Sequence, residues 1–89
     1  MSQGGAVVAA FVIAEGMLLA SPDIEFCGLS VNKKVQKSIF NQIEDEITKL
    51  LRNNKSKTEI EIQLKKYIKT IGQKKLRKNI LAVVKAMEV

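Results

Sequence analysis

The sequence of 89 residues has no histidine, no tryptophan, one cysteine and one proline, and each scarcity removes a class of function. Without histidine there can be no histidine-bound metal, no Ser-His-Asp triad and no Cys-His nucleophile. The lone Cys27 cannot close an internal disulfide or build a thiolate zinc site, so a stapled secreted fold is excluded and a reducing cytoplasm is expected. A buried, small apolar role is the ordinary expectation for such a cysteine. None of the five glycines falls in the spacing of a phosphate-cradling loop. Aromatic residues are confined to Phe11, Phe26, Phe40 and Tyr67, too few to build a base-stacking platform. The only acidic cluster, Glu44-Asp45-Glu46, falls in a helical pattern where consecutive side chains diverge by about 100° and do not converge on a metal. Catalysis by this chain alone is therefore not expected, and neither a metal nor a cofactor is expected in it.

What is present is charge, unevenly placed. Residues 1–32 carry three acidic and no basic side chains, whereas residues 33–89 hold all fifteen basic residues against six acidic ones. A basic half can meet nucleic acid or an anionic surface, but lysines also coat most solvated helices. A chain of this length makes one domain with a modest core and no deep private pocket.

Ala6 to Ala14 is a nine-residue run without a polar side chain. A strand with one wet face alternates apolar and polar, so this run predicts a strand covered on both sides. Val7, Ala9, Phe11 and Ile13 fall on one face and Val8, Ala10, Val12 and Ala14 on the other. No positive residue precedes the run, and Glu15-Gly16 interrupts it short of the roughly 20 residues a membrane span needs, so it reads as neither signal peptide nor anchor. Residues 1–5 read as a flexible lead-in or vector-derived residue, and residues 6–89 as the single domain.

Glu15-Gly16 fits a tight two-residue hairpin turn. The second strand then runs from Met17 to about Ser21, is interrupted or held at an edge by Pro22, and continues by alternation through Ile24 and Phe26 to about Leu29. Ser30 is the expected cap of a helix whose stripe is Val31, Val35, Ile39, Ile43 and Ile47, ending near Asn53-Asn54. Ser56-Lys57-Thr58-Glu59 has capping-box spacing for a second helix carrying Ile60, Leu64, Tyr67, Ile68 and Ile71. Gly72 suits the left-handed position after that helix. Gln73 to Asn79 reads as a basic loop, and Ile80 to Val89 as a third strand. The expected fold is α+β: a small three-stranded mixed sheet in β-β-α-α-β order, with two antiparallel helices packed on one face. The first strand is expected in the middle, parallel to the last. Two helices shelter the bulkier face, which leaves the smaller one for something outside the domain.

The succession of the apolar strand Val7 to Ile13, then Ser21-Pro22-Asp23-Ile24, then Gly28, and finally Met87-Glu88-Val89 resembles the C-terminal domain of bacterial ribonuclease J, a metallo-β-lactamase/β-CASP family. The resemblance spans nearly the whole chain and rests on the order and spacing of short motifs. The family usually has Ser-Arg-Gly-Phe where this chain has Phe26-Cys27-Gly28-Leu29, and an Arg-Arg-Pro run where it has Lys78-Asn79-Ile80. A second family proline corresponds to Val84. The resemblance implies a parent hydrolase of RNA processing and degradation, a metal-dependent exonuclease and endonuclease whose zinc or other divalent ion sits in other domains. This domain would be non-catalytic and would serve oligomerisation or interdomain docking, with RNA contact in addition.

Two functional readings follow. In the first, the face bearing Val8, Ala10, Val12 and Ala14 is an interface to the parent's remaining domains or to a homo-dimer or hetero-oligomer partner. Three strands expose roughly 300 to 400 Å² of face, and covering that contributes on the order of 8 kcal/mol at most. In the second, the chain is a free-standing basic nucleic-acid-binding domain in which Lys74, Lys75, Arg77 and Lys78 touch RNA weakly and without sequence preference. Neither reading involves a membrane.

Overall fold

The structure, a computed structural model, describes residues 5–89, so the lead-in expected over residues 1–5 lies outside the described residues except at Gly5. The fold is α+β. In chain order come β1 (Ala6–Ala14), β2 (Met17–Leu18), β3 (Asp23–Cys27), α1 (Lys33–Arg52), α2 (Lys57–Ile71) and β4 (Leu81–Glu88), with a π-helical turn over Gly72–Leu76 ahead of β4.

β1 is the middle of the sheet. β4 runs parallel along one edge of it, from Ala6 opposite Leu81 to Ile13 opposite Glu88. β2 and β3 both run antiparallel along the other edge. The expected three strands are thus four segments in three lanes, because the second strand is split. Leu18 pairs with Ile13 and Asp23 pairs with Ala10, so four residues span what β1 covers with two. Pro22 sits in that excess and has no N–H for the ladder. The surplus of two is even, so side chains before and after the break keep their faces.

The turn between β1 and β2 has φ 52° at Glu15 and φ 75° at Gly16. Positive φ at both central residues is what the twist-matched two-residue hairpin requires. Gly5 is held rather than loose: its carbonyl accepts from the Leu81 N–H at 2.9 Å. A Cβ there would lie 2.7 Å from the Cys27 carbonyl oxygen and 2.8 Å from that of Gly28.

The first helix is capped by Asn32, not Ser30: Asn32 Oδ1 accepts from the Val35 N–H at 2.9 Å. Val31 therefore precedes the helix, where its carbonyl accepts from the Gln36 side chain. Ser56 caps α2 as its spacing predicts, with Oγ accepting from the Glu59 N–H at 3.2 Å. Among the described residues the reciprocal bond from the Glu59 carboxylate is not formed.

Gly72 departs from expectation. Its φ of −58° is right-handed, and the chain continues through it into the π-helical turn. The left-handed residue that ends this segment is Arg77, φ 55°. Gly72 is small for a packing reason, since an added Cβ would come within 2.6 Å of the Ile80 side chain.

Both helices lie on one face of the sheet. Val7, Ala9, Phe11 and Ile13 of β1 are buried with Ile39, Ile43, Ile47 and Leu50 of α1 and Ile60, Leu64, Ile68 and Ile71 of α2. Ala82, Val84 and Ala86 of β4 complete this core, and Ile24, Phe26, Leu29 and Tyr67 are half-buried against it.

Candidate functional site

Alternation along β1 leaves Ala6, Val8, Ala10, Val12 and Ala14 on the face opposite the helices, and each is half-buried by its lateral neighbours alone. Register places the flanking side chains. Leu81 and Cys27 lie either side of Ala6, Val83 and Glu25 either side of Val8, and Lys85 and Asp23 either side of Ala10. Met87 lies beside Val12, and Met17 beside Ala14. The Leu19 N–H donates to the Val12 carbonyl at 2.9 Å. The open face is therefore an apolar middle bounded by two carboxylates on one side and one ammonium on the other.

Large apolar side chains at this face are strongly exposed: Met17 68%, Leu19 64%, Leu81 59% and Met87 58%. A small domain seldom leaves so much apolar surface in one place unless something covers it. β4 makes the point most clearly. It turns Ala82 and Ala86 inward, where α2 lies close, and keeps Leu81 and Met87 outside.

All four β1 residues singled out from the sequence, Val8, Ala10, Val12 and Ala14, are brought together on this face. Asp23, Glu25, Lys85, Val83, Leu81 and Met87 join them and were not anticipated. Their signal is present in the sequence as period-two alternation, but that pattern acquires a direction only when the register with β1 is known. Cys27, expected to be buried, is exposed, because it shares the open side with Ala6.

The basic residues separate from this face. Lys74 and Lys75 lie on the π-helical turn, and Arg77 and Lys78 follow it, all exposed. Lys75 Nζ donates to Ser38 Oγ of α1 at 3.4 Å, which ties it to the helical layer. Lys34, Val35, Ser38 and Lys75 line a shallow hollow there. Tyr67 has its phenol pushed above the ordinary value of 10.0, first by burial and then by the negative charges of Glu46 and Asp45.

Among the described residues there is no group of three or more His, Cys, Asp or Glu side chains that could hold a metal ion. No helix among them is long and apolar enough to cross a membrane. Comparison with protein-family models finds none that matches the chain, and comparison with curated proteins finds no significant match.

Proposed function

We propose that this chain is a non-catalytic assembly domain, the C-terminal domain of a ribonuclease J-like enzyme of cytoplasmic RNA processing and decay. One observation supports this above the rest. A central strand apolar on both faces has its own helices on only one, and the other face presents Val8, Val12 and Val83 with exposed Leu81 and Met87 beside them. Covering roughly 300 to 400 Å² of such surface contributes up to about 8 kcal/mol, enough to offset part of the entropy lost on association. The order of the motifs from Val7 to Val89 supplies the link to the ribonuclease.

The test is light scattering of the purified chain, alone and mixed with the nuclease core of a ribonuclease J lacking its own C-terminal domain. The expected result is a species heavier than the 9.9 kDa monomer in the chain alone, or heavier than the nuclease core by itself in the mixture, lost on Val12→Lys. Monomers in both samples at several hundred micromolar, on the order of weak interface affinities, would remove the reading.

A second reading rests on Lys34 and Lys75 sharing one hollow beside exposed Lys74, Arg77 and Lys78. They would hold RNA through phosphates alone, so binding of a single-stranded RNA should fall steeply with salt. Binding that is equal at low and high salt, or absent at both, would dispose of it.

A further inference from the structure

At the end of the molecule that carries the β1–β2 turn, away from the open sheet face, we infer a docking groove for a short acidic segment of a partner protein, anchored by an aliphatic side chain. Gly16, Met17 and Leu18 of the hairpin face Thr48, Leu51 and Arg52 of α1 across a hollow of about 340 Å³. A second hollow of about 360 Å³ lies between Gly16, Leu51 and the α1–α2 connection at Lys55 to Lys57, with Glu88 also in its wall. Gly16 and Leu51 line both, which joins them into one groove.

The groove belongs to the helix side of the sheet. Leu18 pairs with Ile13, whose side chain is buried in the core under the helices, whereas Val8, Ala10 and Val12 point the other way. Its floor is Leu18 and Leu51, each half-buried against that core, with exposed Met17 beside them. The chain leaves α1 at Arg52 and reverses through Asn54, φ 58°. That reversal brings Lys55 and Lys57 round to the hairpin end.

Charge selects the occupant. Arg52, Lys55 and Lys57 are exposed along the groove against the single carboxylate of Glu88, and counting Glu15 beside Gly16 leaves the balance positive. The first-turn N–H groups of α2 at Lys57 and Thr58 have no intrahelical acceptor, and the positive end of that helix's dipole adds to the same field. An apolar hollow continuous with a cationic bank complements carboxylates that flank an aliphatic side chain. No aromatic residue lines either hollow, so a nucleic-acid base would find nothing to stack on. The volume is at the low end of the roughly 300 to 1,000 Å³ of ligand clefts, which suits one or two side chains.

Pairing of a partner strand with the β4 edge is opposed by the structure itself. The outward N–H of Ala86, in the free edge of β4, is already taken by Glu61 Oε2 at 3.1 Å, and a carboxylate held on an edge blocks an incoming strand.

The test is amide NMR titration of the whole chain with a synthetic peptide, Asp-Glu-Leu-Asp-Glu-Leu-Asp-Glu. Weak binding that fades with added salt should shift the amides of Gly16, Met17, Leu51 and Lys55. Met17→Ser should weaken it about fivefold through lost apolar contact, and Lys55→Glu with Lys57→Glu about tenfold. These positions are exposed, and the spectra themselves show that the variants are folded. Val12→Lys should leave peptide binding unchanged, so failure of the open-face reading and failure of this groove are told apart. No shifts at millimolar peptide, or shifts confined to the open face, would overturn the inference. So would equal binding of a peptide with serine in place of both leucines, since charge alone would then suffice. Tighter binding of a single-stranded RNA at the same amides would make the groove a phosphate-binding surface and overturn it as well.

Discussion

Gly5 and Gly16 both hold positive φ, 88° and 75°, but their surroundings differ. At Gly16 a Cβ would meet nothing within 4 Å, whereas at Gly5 it would press on two backbone carbonyl oxygens and on Leu29. Gly16→Ala should therefore cost about 1 kcal/mol, the conformational penalty alone. Gly5→Ala should cost about 2 kcal/mol more, as backbone must move to admit the methyl. Urea titration of the two variants separates these values, and equal costs would show that the Gly5 crossing is loose. Tyr67 gives a second prediction. Its folded phenol holds the proton to higher pH than the unfolded one, so its contribution is complete below the unfolded value near pH 10 and is lost as pH rises beyond it. The unmodified chain should lose more stability than Tyr67→Phe as pH rises above the ordinary tyrosine value of about 10, measured by denaturation at each pH. Gly72 shows why residue roles are only partly legible. A glycine after a helical stripe suggests a left-handed cap, yet its neighbour Ile80 is eight positions on and joins it only through the return of the chain.

Elements whose signals are local match expectation closely. The Glu15-Gly16 turn, the α2 cap at Ser56 and the end of α1 at Asn53, followed by Asn54 at φ 58°, are each decided by a few adjacent residues. Where a neighbour competes, the outcome shifts. Both Ser30 and Asn32 can cap a helix, and it is Asn32, with extended backbone at φ −71° and ψ 162°, whose side chain accepts from the Val35 N–H. The basic segment after Ile71 looks like a loop because it lacks apolar periodicity, but Gly72–Leu76 winds as a π-helical turn that seats half-buried Leu76 against the core. At the β4 edge, Glu61→Ala should strip the Ala86 N–H of its charged acceptor and cost about 1 to 2 kcal/mol. Hydrogen exchange at Ala86 should accelerate, and the chain should become more prone to edge pairing. An unchanged exchange rate would mean that the bond is not maintained in solution.

At the scale of the molecule the two faces of β1 should answer differently to substitution. Phe11→Ala removes a buried ring and should cost about 3 to 5 kcal/mol in the monomer. Val12→Lys, one residue along on the open face, should change monomer stability by less than about 1 kcal/mol while abolishing assembly. Thermal unfolding at low concentration and light scattering at high concentration check the pair. Comparable destabilisation by both would mean that the open side of β1 is buried within the domain.

The sequence by itself determined that β1 is apolar on both faces, that two helices follow the strands, and that the inventory is without histidine. These are properties of composition and short-range period, which survive without knowledge of distant neighbours. Only the tertiary structure decided that Asp23 and Lys85 share a row with Ala10, that Cys27 faces outward and that Glu61 seals the β4 edge. Each depends on register between segments tens of residues apart. A strand pairing fixes every side chain along it at once, and no window of the sequence contains both partners.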